Sequence, residues 1–355
     1  MNSLILLGFL ICNISFVAFA DNSATSSLYS SKFAEAQNLK QPWNHYEQKF
    51  LEWIEEFNVK FESEDAKMQG LRNFAIADDL IETHNQDESK TYKLAHNEFS
   101  HIAWEEFRKS RGIGEPLLQR NGPLRKKPQN LRFYRTKLED SIDWAEEGAV
   151  TEVKNQQQCG SCWSFSATGA IEGAYYLKNS ELVSFSEQML VDCDNEDMGC
   201  NGGLMDNAFD WIQQNGGLCS EDSYPYVAHG QNCRSWSCTP VEGSNPVGWV
   251  DVEQTQEALM EAVAQQPVAI AIEADQLAFQ FYSSGVFSGN CGTNLDHGVL
   301  LVGYGTSDDG EDFWKVKNSW GDSWGDEGYI YLQRGKDQEG GQCGLLLSAS
   351  YPELP

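Results

Sequence analysis

The chain has few basic side chains for its size. Its 355 residues include 25 Lys and Arg against 53 Asp and Glu, and the formal net charge is −28. The imbalance is confined to residues 138–355, where 35 acidic side chains face 7 basic ones, whereas residues 21–137 are neutral. Because such a surface repels phosphates, the composition excludes nucleic-acid binding as an expected function. The acidity favours either simple solubility or work at low pH.

Long hydrophobic runs are absent after residue 20, so we expect no membrane span there. Residues 1–20 are uncharged, mostly apolar and end in Ala18-Phe19-Ala20, which predicts a secretory signal peptide. The segment lacks initial basic residues, and a membrane anchor is the alternative, although Asn13 and Ser15 interrupt the apolar run. We therefore expect the secretory pathway, with a lysosome, a vacuole or the extracellular space as destination.

Histidine is scarce as well. The chain has six, and only His229 and His297 follow residue 137. His229 lies in a polar turn and is expected to be a solvated surface residue. Two histidines offer little material for a metal centre, so we expect no metal and no cofactor in this region.

Cysteine is present in an informative number. Cys12 leaves with the predicted signal, and nine of the ten cysteines remain, so one thiol cannot pair within the chain. An unpaired thiol in a secreted protein is either an intermolecular partner or a reactive group. Cys162 begins an apolar, helix-forming stretch over 163–177. A thiolate at that position would be stabilised by the unpaired N–H groups of the helix start.

The pattern along the chain predicts a leader, a pro-segment and a large domain. We expect a polar spacer over 21–43, a helical region over about 46–107 and an extended, basic connector over 108–137. A large domain follows over 138–355, with a helical lobe at about 147–245 and a β lobe at about 250–345. The predicted helices are 162–177, 186–191 and 205–215, and the predicted strands are 267–272, 297–304, 313–318 and 329–333. A cleft between two such lobes is a common place for an active site.

A thiol nucleophile needs a base and a group that orients the base. His297 opens an apolar strand and is the candidate base, although a satisfied core histidine is the alternative. Asn318 follows another predicted strand and could orient the imidazole, with Trp320 shielding their hydrogen bond from water. The side chain of Gln156 and the backbone N–H of Cys162 could stabilise an oxyanion.

Together these runs resemble the papain family of cysteine peptidases, in its cathepsin L-like branch. The resemblance rests on Gln156, Cys159-Gly160-Ser161-Cys162-Trp163, Leu295-Asp296-His297-Gly298 and Asn318-Ser319-Trp320-Gly321. It covers about 138–355, and 46–107 resembles the family's inhibitory pro-domain. It implies an α+β, papain-like two-lobed fold, with a helical left lobe, a β-barrel-like right lobe, an active-site cleft between them and a small helical pro-domain in front.

The resemblance implies a cysteine endopeptidase made as a zymogen. Cys162 would be the nucleophile, His297 the base and then the acid, Asn318 the orienting residue and Gln156 an oxyanion donor. The implied substrate-binding residues are Gly202, Gly203, Leu204, Met205, Ala271, Leu295, Asp296, Gly298, Trp320 and Ser348. Those that match the second subsite carry no charge, so a bulky apolar side chain is expected at that position of the substrate.

The resemblance also implies disulfides and partners. The family pairs would be Cys159–Cys200, Cys193–Cys233 and Cys291–Cys343, and Cys219–Cys238 would be an additional bridge. The expected partners are protein or peptide substrates, the chain's own propeptide as an intramolecular inhibitor, and cystatin-type inhibitors. We expect a monomer that binds neither nucleic acid nor membrane.

The pro-segment departs from its family. Ala66, Gly70 and Ala77 stand where the family signature has Glu, Arg and Asn, and His101 stands where it has Asp. One hypothesis is that the basic connector 108–137 lies along the acidic domain and loosens in acid; an ordinary flexible connector is the alternative. For the whole chain, the rival functions are a catalytically silent relative that binds or stores, a structural disulfide module, and an enzyme that transfers the acyl group to an amine.

Overall fold

The computed structural model describes residues 33–34, 37–114, 117, 138–335 and 338–355. The predicted signal peptide over 1–20, the first part of the spacer and most of the basic connector lie outside the described residues. The hypothesis that the connector lies along the acidic domain therefore stays a prediction.

Helices come first along the described chain, and strands dominate its last third. The helices are α1 (Trp43–Glu56), α2 (Glu64–Asn85), α3 (Trp104–Ser110), α4 (Cys162–Asn179), α5 (Glu187–Cys193), α6 (Met205–Asn215), α7 (Gln256–Val263) and α8 (Leu277–Phe281). The strands are β1 (Tyr92–Leu94), β2 (Ile142–Asp143), β3 (Gly248–Asp251), β4 (Val268–Ile272), β5 (Tyr282–Phe287), β6 (His297–Thr306), β7 (Asp312–Lys317), β8 (Tyr329–Gln333) and β9 (Ala349–Glu353). Each predicted helix and strand of 138–355 is confirmed to within two residues at each end.

The pro-domain is helical, as predicted, and its helices are separated by non-helical segments and one short strand. The chain leaves the helix at Phe57, restarts at α2 with Ser63 capping Ala66 N at 3.1 Å, and then forms β1. β1 pairs antiparallel with β5, so that Tyr92 lies opposite Gly285 of the catalytic domain. Pairing with a strand almost two hundred residues away outweighs the local pattern, and it adds the pro-domain to the edge of the main sheet.

Aromatic side chains form the core of the pro-domain. Phe50 and Trp53 of α1 stack at a centroid distance of 5.4 Å, and both lie against Phe74 of α2. Gly70 allows this packing, because a Cβ there would lie 2.7 Å from the ring of Phe61. The Arg of the family signature could not occupy that position without moving the ring.

A buried carboxylate forms a polar link between the two long helices of the pro-domain and the segment after β1. Asp78 of α2 is 1% exposed, and its Oδ1 accepts from Lys49 Nζ of α1 at 2.8 Å and from His96 Nε2, after β1, at 3.0 Å. Burial alone would raise the pKa of Asp78, but the hydrogen bonds and positive charges of these partners lower it overall. Because the folded pKa is lowered, this stabilisation is present above the unfolded pKa and is lost as the pH falls through the folded one.

In the catalytic domain, one helix lies at the boundary of the two lobes. α4 is buried along nearly its whole length and packs against β6 on one side and against α5 and α6 on the other. The strands follow the order β1-β5-β8-β7-β6-β4-β9-β3, with β2 also paired to β6. Across the described residues the path is open at both ends, so the β lobe is an open sheet where the resemblance implied a barrel-like one.

Sequence reasoning missed α7 and α8 in the β lobe, and also β3, β5 and β9. α7 carried a recognisable signal, since Thr255 caps Ala258 N at 3.1 Å. α8 has only five residues, too few for a helical period to be recognised. None of the helices in the described residues combines the length and apolarity that a bilayer crossing requires.

The described cysteines form four disulfides, in the pairs that the resemblance implies. They are Cys159–Cys200, Cys193–Cys233, Cys219–Cys238 and Cys291–Cys343. Cys162 is the free cysteine of the described chain.

We predict that Asp78→Asn weakens the pro-domain by about 1.5–3 kcal/mol, the usual net value of hydrogen bonds to a charged group. Because the Asp78 carboxylate stabilises the pro-domain in mild acid, Asp78→Asn should lose its pro-segment and convert to the shorter, mature chain at a higher pH than the wild type. The pH of half-conversion measures this. Glu88→Gln, at an exposed position, is the control, and identical profiles for both variants would contradict the role of Asp78.

Candidate active site

The free thiol lies at the junction of the two lobes. Cys162 is the first residue of α4, is 3% exposed, and its Sγ accepts a hydrogen bond from Gly298 N of β6 at 3.3 Å. A Cβ on Gly298 would lie 3.2 Å from backbone atoms of Trp163, so a side chain there would push α4 and β6 apart. Glycine therefore permits the contact that brings the thiol to the strand beginning with His297.

The imidazole of His297 is oriented by Asn318. Its Nε2 lies 2.8 Å from Asn318 Oδ1, which also accepts from Ser319 N at 2.8 Å. Because an amide oxygen only accepts, Nε2 must carry the proton, which leaves the lone pair of a neutral imidazole on Nδ1. Nδ1 is buried without a hydrogen-bond partner. The ring of Trp320 lies 4.9 Å from the imidazole and excludes water from the Asn318 contact.

Burial holds both groups in their neutral forms in this structure. It raises the pKa of the Cys162 thiol to about 11, and the carboxylate of Asp296 adds to that effect, whereas the Gly298 N–H opposes it. Burial also lowers the pKa of His297 to about 4, and the positive charge of Arg111 contributes in the same direction. Charge separation between thiol and imidazole is therefore suppressed while the pro-segment is in place.

The amide of Gln156 is fixed by hydrogen bonds at both its oxygen and its nitrogen. Its Oε1 accepts from Ser319 Oγ at 2.7 Å, and its Nε2 donates to Cys159 O at 2.8 Å. The second N–H bond of the amide reaches the backbone carbonyl of Arg111, at 3.4 Å. A carbonyl oxygen of the pro-segment thus lies at the amide that sequence analysis assigned to an oxyanion.

Residues 111–114 and 117 of the pro-segment contact the cleft, and sequence reasoning missed these anchors. Gly114 N donates to Asp296 Oδ2 at 3.0 Å, and Leu117 N donates to Leu295 O at 2.9 Å. Ile113 is 2% exposed. The prediction of an extended connector is wrong for 111–114, which form a turn. The one sequence feature that could have indicated these anchors is Ile113, a single large apolar residue between two glycines.

Arg111 is the most unexpected of these anchors. Its guanidinium is buried and lies 4.3 Å from the ring centroids of both Phe99 and Phe107. Burial lowers the pKa of Arg111 to about 10, so the group is still charged at physiological pH. Phe107 in turn meets Trp320 edge to face at 5.2 Å, which joins the pro-domain to the shield over His297.

Several residues predicted for the second subsite are joined by strand pairing and apolar packing. Ala271 of β4 pairs with Gly298 of β6, and its N–H donates to Ser348 O at 2.9 Å. Met205 and Ala271 belong to one apolar cluster, and Leu295 packs against it.

Gly202 and Gly203 directly precede Leu204 and Met205 of this predicted subsite along the chain. Gly203 packs on the ring of Trp163, where a Cβ would lie 2.6 Å away, and Leu204 N donates to Asp197 Oδ1 at 3.0 Å. Gly202 has an open Cβ direction and a φ of +107°.

Asp296 holds the pro-segment through its carboxylate. Oδ1 accepts from Ala274 N at 2.7 Å while Oδ2 accepts from Gly114 N. Burial raises the pKa of Asp296 to about 7.

His229 is exposed, as expected, and its Nδ1 lies 2.8 Å from Val227 O.

One group of side chains in the described chain has the spacing of a metal site. His45, Asp78 and Glu82 of the pro-domain have ligand atoms within 4.8 Å of one another. Lys49 Nζ lies 2.8 Å from Asp78 and 2.7 Å from Glu82 and already forms an ion pair with both carboxylates. The group is therefore an ion-pair network, and it takes no part in the thiol chemistry.

Known proteins share these features. The papain family cysteine protease domain matches residues 138–353, and the cathepsin propeptide inhibitor domain matches residues 50–107. Thiol protease SEN102 of Hemerocallis sp. is 44% identical over 320 residues, covering 87% of this chain and 86% of that protein. The senescence-specific cysteine protease SAG12 of Arabidopsis thaliana is 45% identical over 269 residues, covering 75% and 78%.

Solved proforms have the same fold. The proform of the Amb a 11 cysteine protease, a major ragweed pollen allergen, is 38% identical with a TM-score of 0.78, covering 87% of this chain and 95% of that one. The recombinant stem bromelain precursor is 35% identical with a TM-score of 0.79, covering 87% and 99%.

The electrostatics predict how the thiol responds to pH. In the proform, alkylation of Cys162 by iodoacetamide should be slow and should accelerate only as the pH approaches the raised thiol pKa of about 11. Removal of the pro-segment exposes the site, and the thiol should then react rapidly in the acid-to-neutral range. The rate of adduct formation against pH, followed by mass spectrometry, measures this. Superimposable profiles for the two forms would contradict it.

Proposed function

Since this chain belongs to the papain family of cysteine proteases and carries the family's propeptide inhibitor domain, we propose that Cys162, His297 and Asn318 form its catalytic triad. The observation that carries the proposal is the contact between His297 Nε2 and Asn318 Oδ1 at 2.8 Å, with Nδ1 left free of hydrogen-bond partners. A base oriented in this way can take a proton only at Nδ1. The same strand donates a backbone N–H to Cys162 Sγ, so base and nucleophile share one junction.

Peptide hydrolysis then follows in two steps. Nδ1 of His297 takes the thiol proton, and Sγ of Cys162 attacks the peptide carbonyl carbon, whose C=O electrons move to the oxygen. The amine leaves with the proton from His297, and a thioester remains on Cys162. Water, deprotonated by the same Nδ1, attacks the thioester and releases the acid and the thiol.

The oxyanion of both steps is assigned to Gln156 Nε2 and the backbone N–H of Cys162. In the proform, the Arg111 carbonyl lies 3.4 Å from Gln156 Nε2, where a substrate carbonyl oxygen would replace it. Gly114 N likewise bonds Asp296 Oδ2 in the way that a substrate N–H could. Trp320 would cover the leaving-group side of His297. The propeptide thus inhibits by occupying polar groups that serve catalysis.

The second subsite is assigned to Leu204, Met205, Ala271, Leu295, Gly298 and Ser348, and Gly202 and Gly203 are assigned to pairing with an extended substrate backbone. The set is uncharged and largely apolar, so it suits Leu or Phe and provides no partner for Arg. Burying such a side chain contributes about 1.5–3 kcal/mol. We further propose an endopeptidase that works in an acidic compartment of the secretory pathway, a lysosome or vacuole, or outside the cell, because the net charge of −28 is relieved when carboxylates protonate.

The whole proposal is tested on the purified proform, with Cys162→Ala as control. After a shift to about pH 4.5, where carboxylates begin to protonate, the wild type should shorten and hydrolyse a fluorogenic peptide with Phe at the second subsite. The same peptide with Arg there should be cleaved poorly. If the wild type stays inert even after another protease has removed the pro-segment, the chain is a silent relative and the proposal is wrong.

The oxyanion assignment has its own test in Gln156→Ala. Losing one oxyanion donor lowers kcat by about 100-fold or more and leaves substrate binding largely intact. Gln158→Ala, at an exposed position two residues away, is the matched control. Steady-state kinetics of the mature enzymes measure the effect, and an unchanged kcat in Gln156→Ala would remove Gln156 from the mechanism.

A further inference from the structure

A tyrosine hydroxyl joins the two segments that carry the oxyanion donors. Tyr226 Oη donates to Gln156 O at 2.9 Å and lies 2.7 Å from Ser161 Oγ. A phenol has one hydrogen, and the carbonyl can only accept it. The hydroxyl of Ser161 must therefore donate to Tyr226 Oη, and the three groups form a directed chain of hydrogen bonds.

Each end of this series of hydrogen bonds lies on a residue that either contains a proposed oxyanion donor or directly precedes one. The carbonyl end belongs to Gln156, whose side-chain amide is one donor. The hydroxyl end belongs to Ser161, which directly precedes the other donor, the backbone N–H of Cys162. Between them, Gln157 and Gln158 are exposed and Gln157 has a φ of +53°. Tyr226 therefore bridges the ends of a loop whose outer part is open to solvent.

Tyr226 is itself firmly held. Its backbone N–H donates to Glu221 Oε1 at 2.7 Å, and its ring meets Phe165 of α4 edge to face at 4.9 Å. The loop that carries it is closed by Cys219–Cys238, the disulfide that lies outside the family's common set. Burial raises the pKa of Tyr226 above its ordinary value, so the hydroxyl remains a donor across the working pH range.

We propose that Tyr226 is a positioning residue for oxyanion stabilisation, fixing the spacing between the Gln156 amide and the Cys162 N–H. The proposal rests on the proposed function, because it presumes that these two groups are the oxyanion donors. Tyr226 touches neither substrate nor thiol, and it acts through the backbone of Gln156 and the side chain of Ser161. The additional disulfide acquires a role here, since it holds the loop that supplies the hydroxyl.

Tyr226→Phe in the mature enzyme tests the proposal, because it removes the hydroxyl and keeps the ring on Phe165. We expect kcat to fall roughly tenfold with KM unchanged, less than the loss of a donor itself. A peptide aldehyde provides the specific readout. The Cys162 sulfur bonds to its carbonyl carbon, the C=O electron pair moves to the oxygen at the two donors, and the thiol proton passes to Nδ1 of His297. The affinity of the aldehyde should fall by the same factor as kcat.

Alkylation of Cys162 by iodoacetamide forms no oxyanion, so its rate should be unchanged in Tyr226→Phe. Tyr224→Phe is the matched control in the same loop, because the Tyr224 hydroxyl donates to Asp192 Oδ2 at 2.8 Å instead. It should retain the wild-type ratio of aldehyde affinity to alkylation rate. If Tyr226→Phe does not fold, Ser161→Ala removes the other bond of the chain and should weaken the aldehyde while leaving KM unchanged.

The outcomes separate this proposal from the one on which it rests. If Gln156→Ala weakens the aldehyde and Tyr226→Phe does not, the positioning role is wrong and the oxyanion assignment stands. If neither variant changes the aldehyde affinity, the oxyanion assignment fails and the positioning role falls with it. Equal losses of alkylation rate and aldehyde affinity in Tyr226→Phe would mean a general loosening of the site and would also overturn the proposal.

Discussion

The close contact between α4 and β6 is the constraint on which the active site depends. Gly298 has no side chain, so the helix that begins at Cys162 approaches the strand that begins at His297 closely enough for a backbone N–H to reach the thiol. The two lobes meet along this contact. The proposed oxyanion donors, the indole of Trp320 and the proposed apolar subsite are all linked to it, and we expect a larger residue at 298 to disturb them together.

The pro-segment changes the chemistry of this junction as well as covering it. Its burial of the thiol and the imidazole favours two neutral groups, and the Arg111 cation further disfavours an imidazolium. Backbone groups of the pro-segment also form hydrogen bonds with the side chains of Gln156 and Asp296. We therefore propose that inhibition in this chain is both steric and electrostatic, and that both effects end when the same few residues leave the cleft. The aromatic pair around Arg111 and the strand β1 hold those residues in place.

Much of the catalytic domain could be predicted from the sequence because its signals are local. The odd number of cysteines pointed to one free thiol, and hydrophobic periodicity placed α6 and β8 at their observed bounds. The pro-domain was less accessible. β1 forms only because β5 is available to pair with it, and the guanidinium of Arg111 is buried against two aromatic rings that the folded pro-domain brings together. The Tyr226 bridge could not be predicted either, because Tyr226 bonds to Ser161, which is 65 positions earlier, and to Gln156, which is 70 positions earlier. The disulfide pairs came from family resemblance, because cysteine positions alone do not select among the possible pairings.

Catalysis in the proposed mechanism requires a thiolate–imidazolium pair that forms once the pro-segment leaves. The direct measurement is an NMR titration of the His297 ring nitrogens in the mature enzyme and in mature Cys162→Ala. We predict that the imidazole of the wild type stays protonated well above its ordinary pKa of about 6.5, because the thiolate stabilises the cation, and that Cys162→Ala loses this effect. If His297 titrates identically in both proteins, the thiol and the imidazole are not coupled, and the proposed mechanism is contradicted.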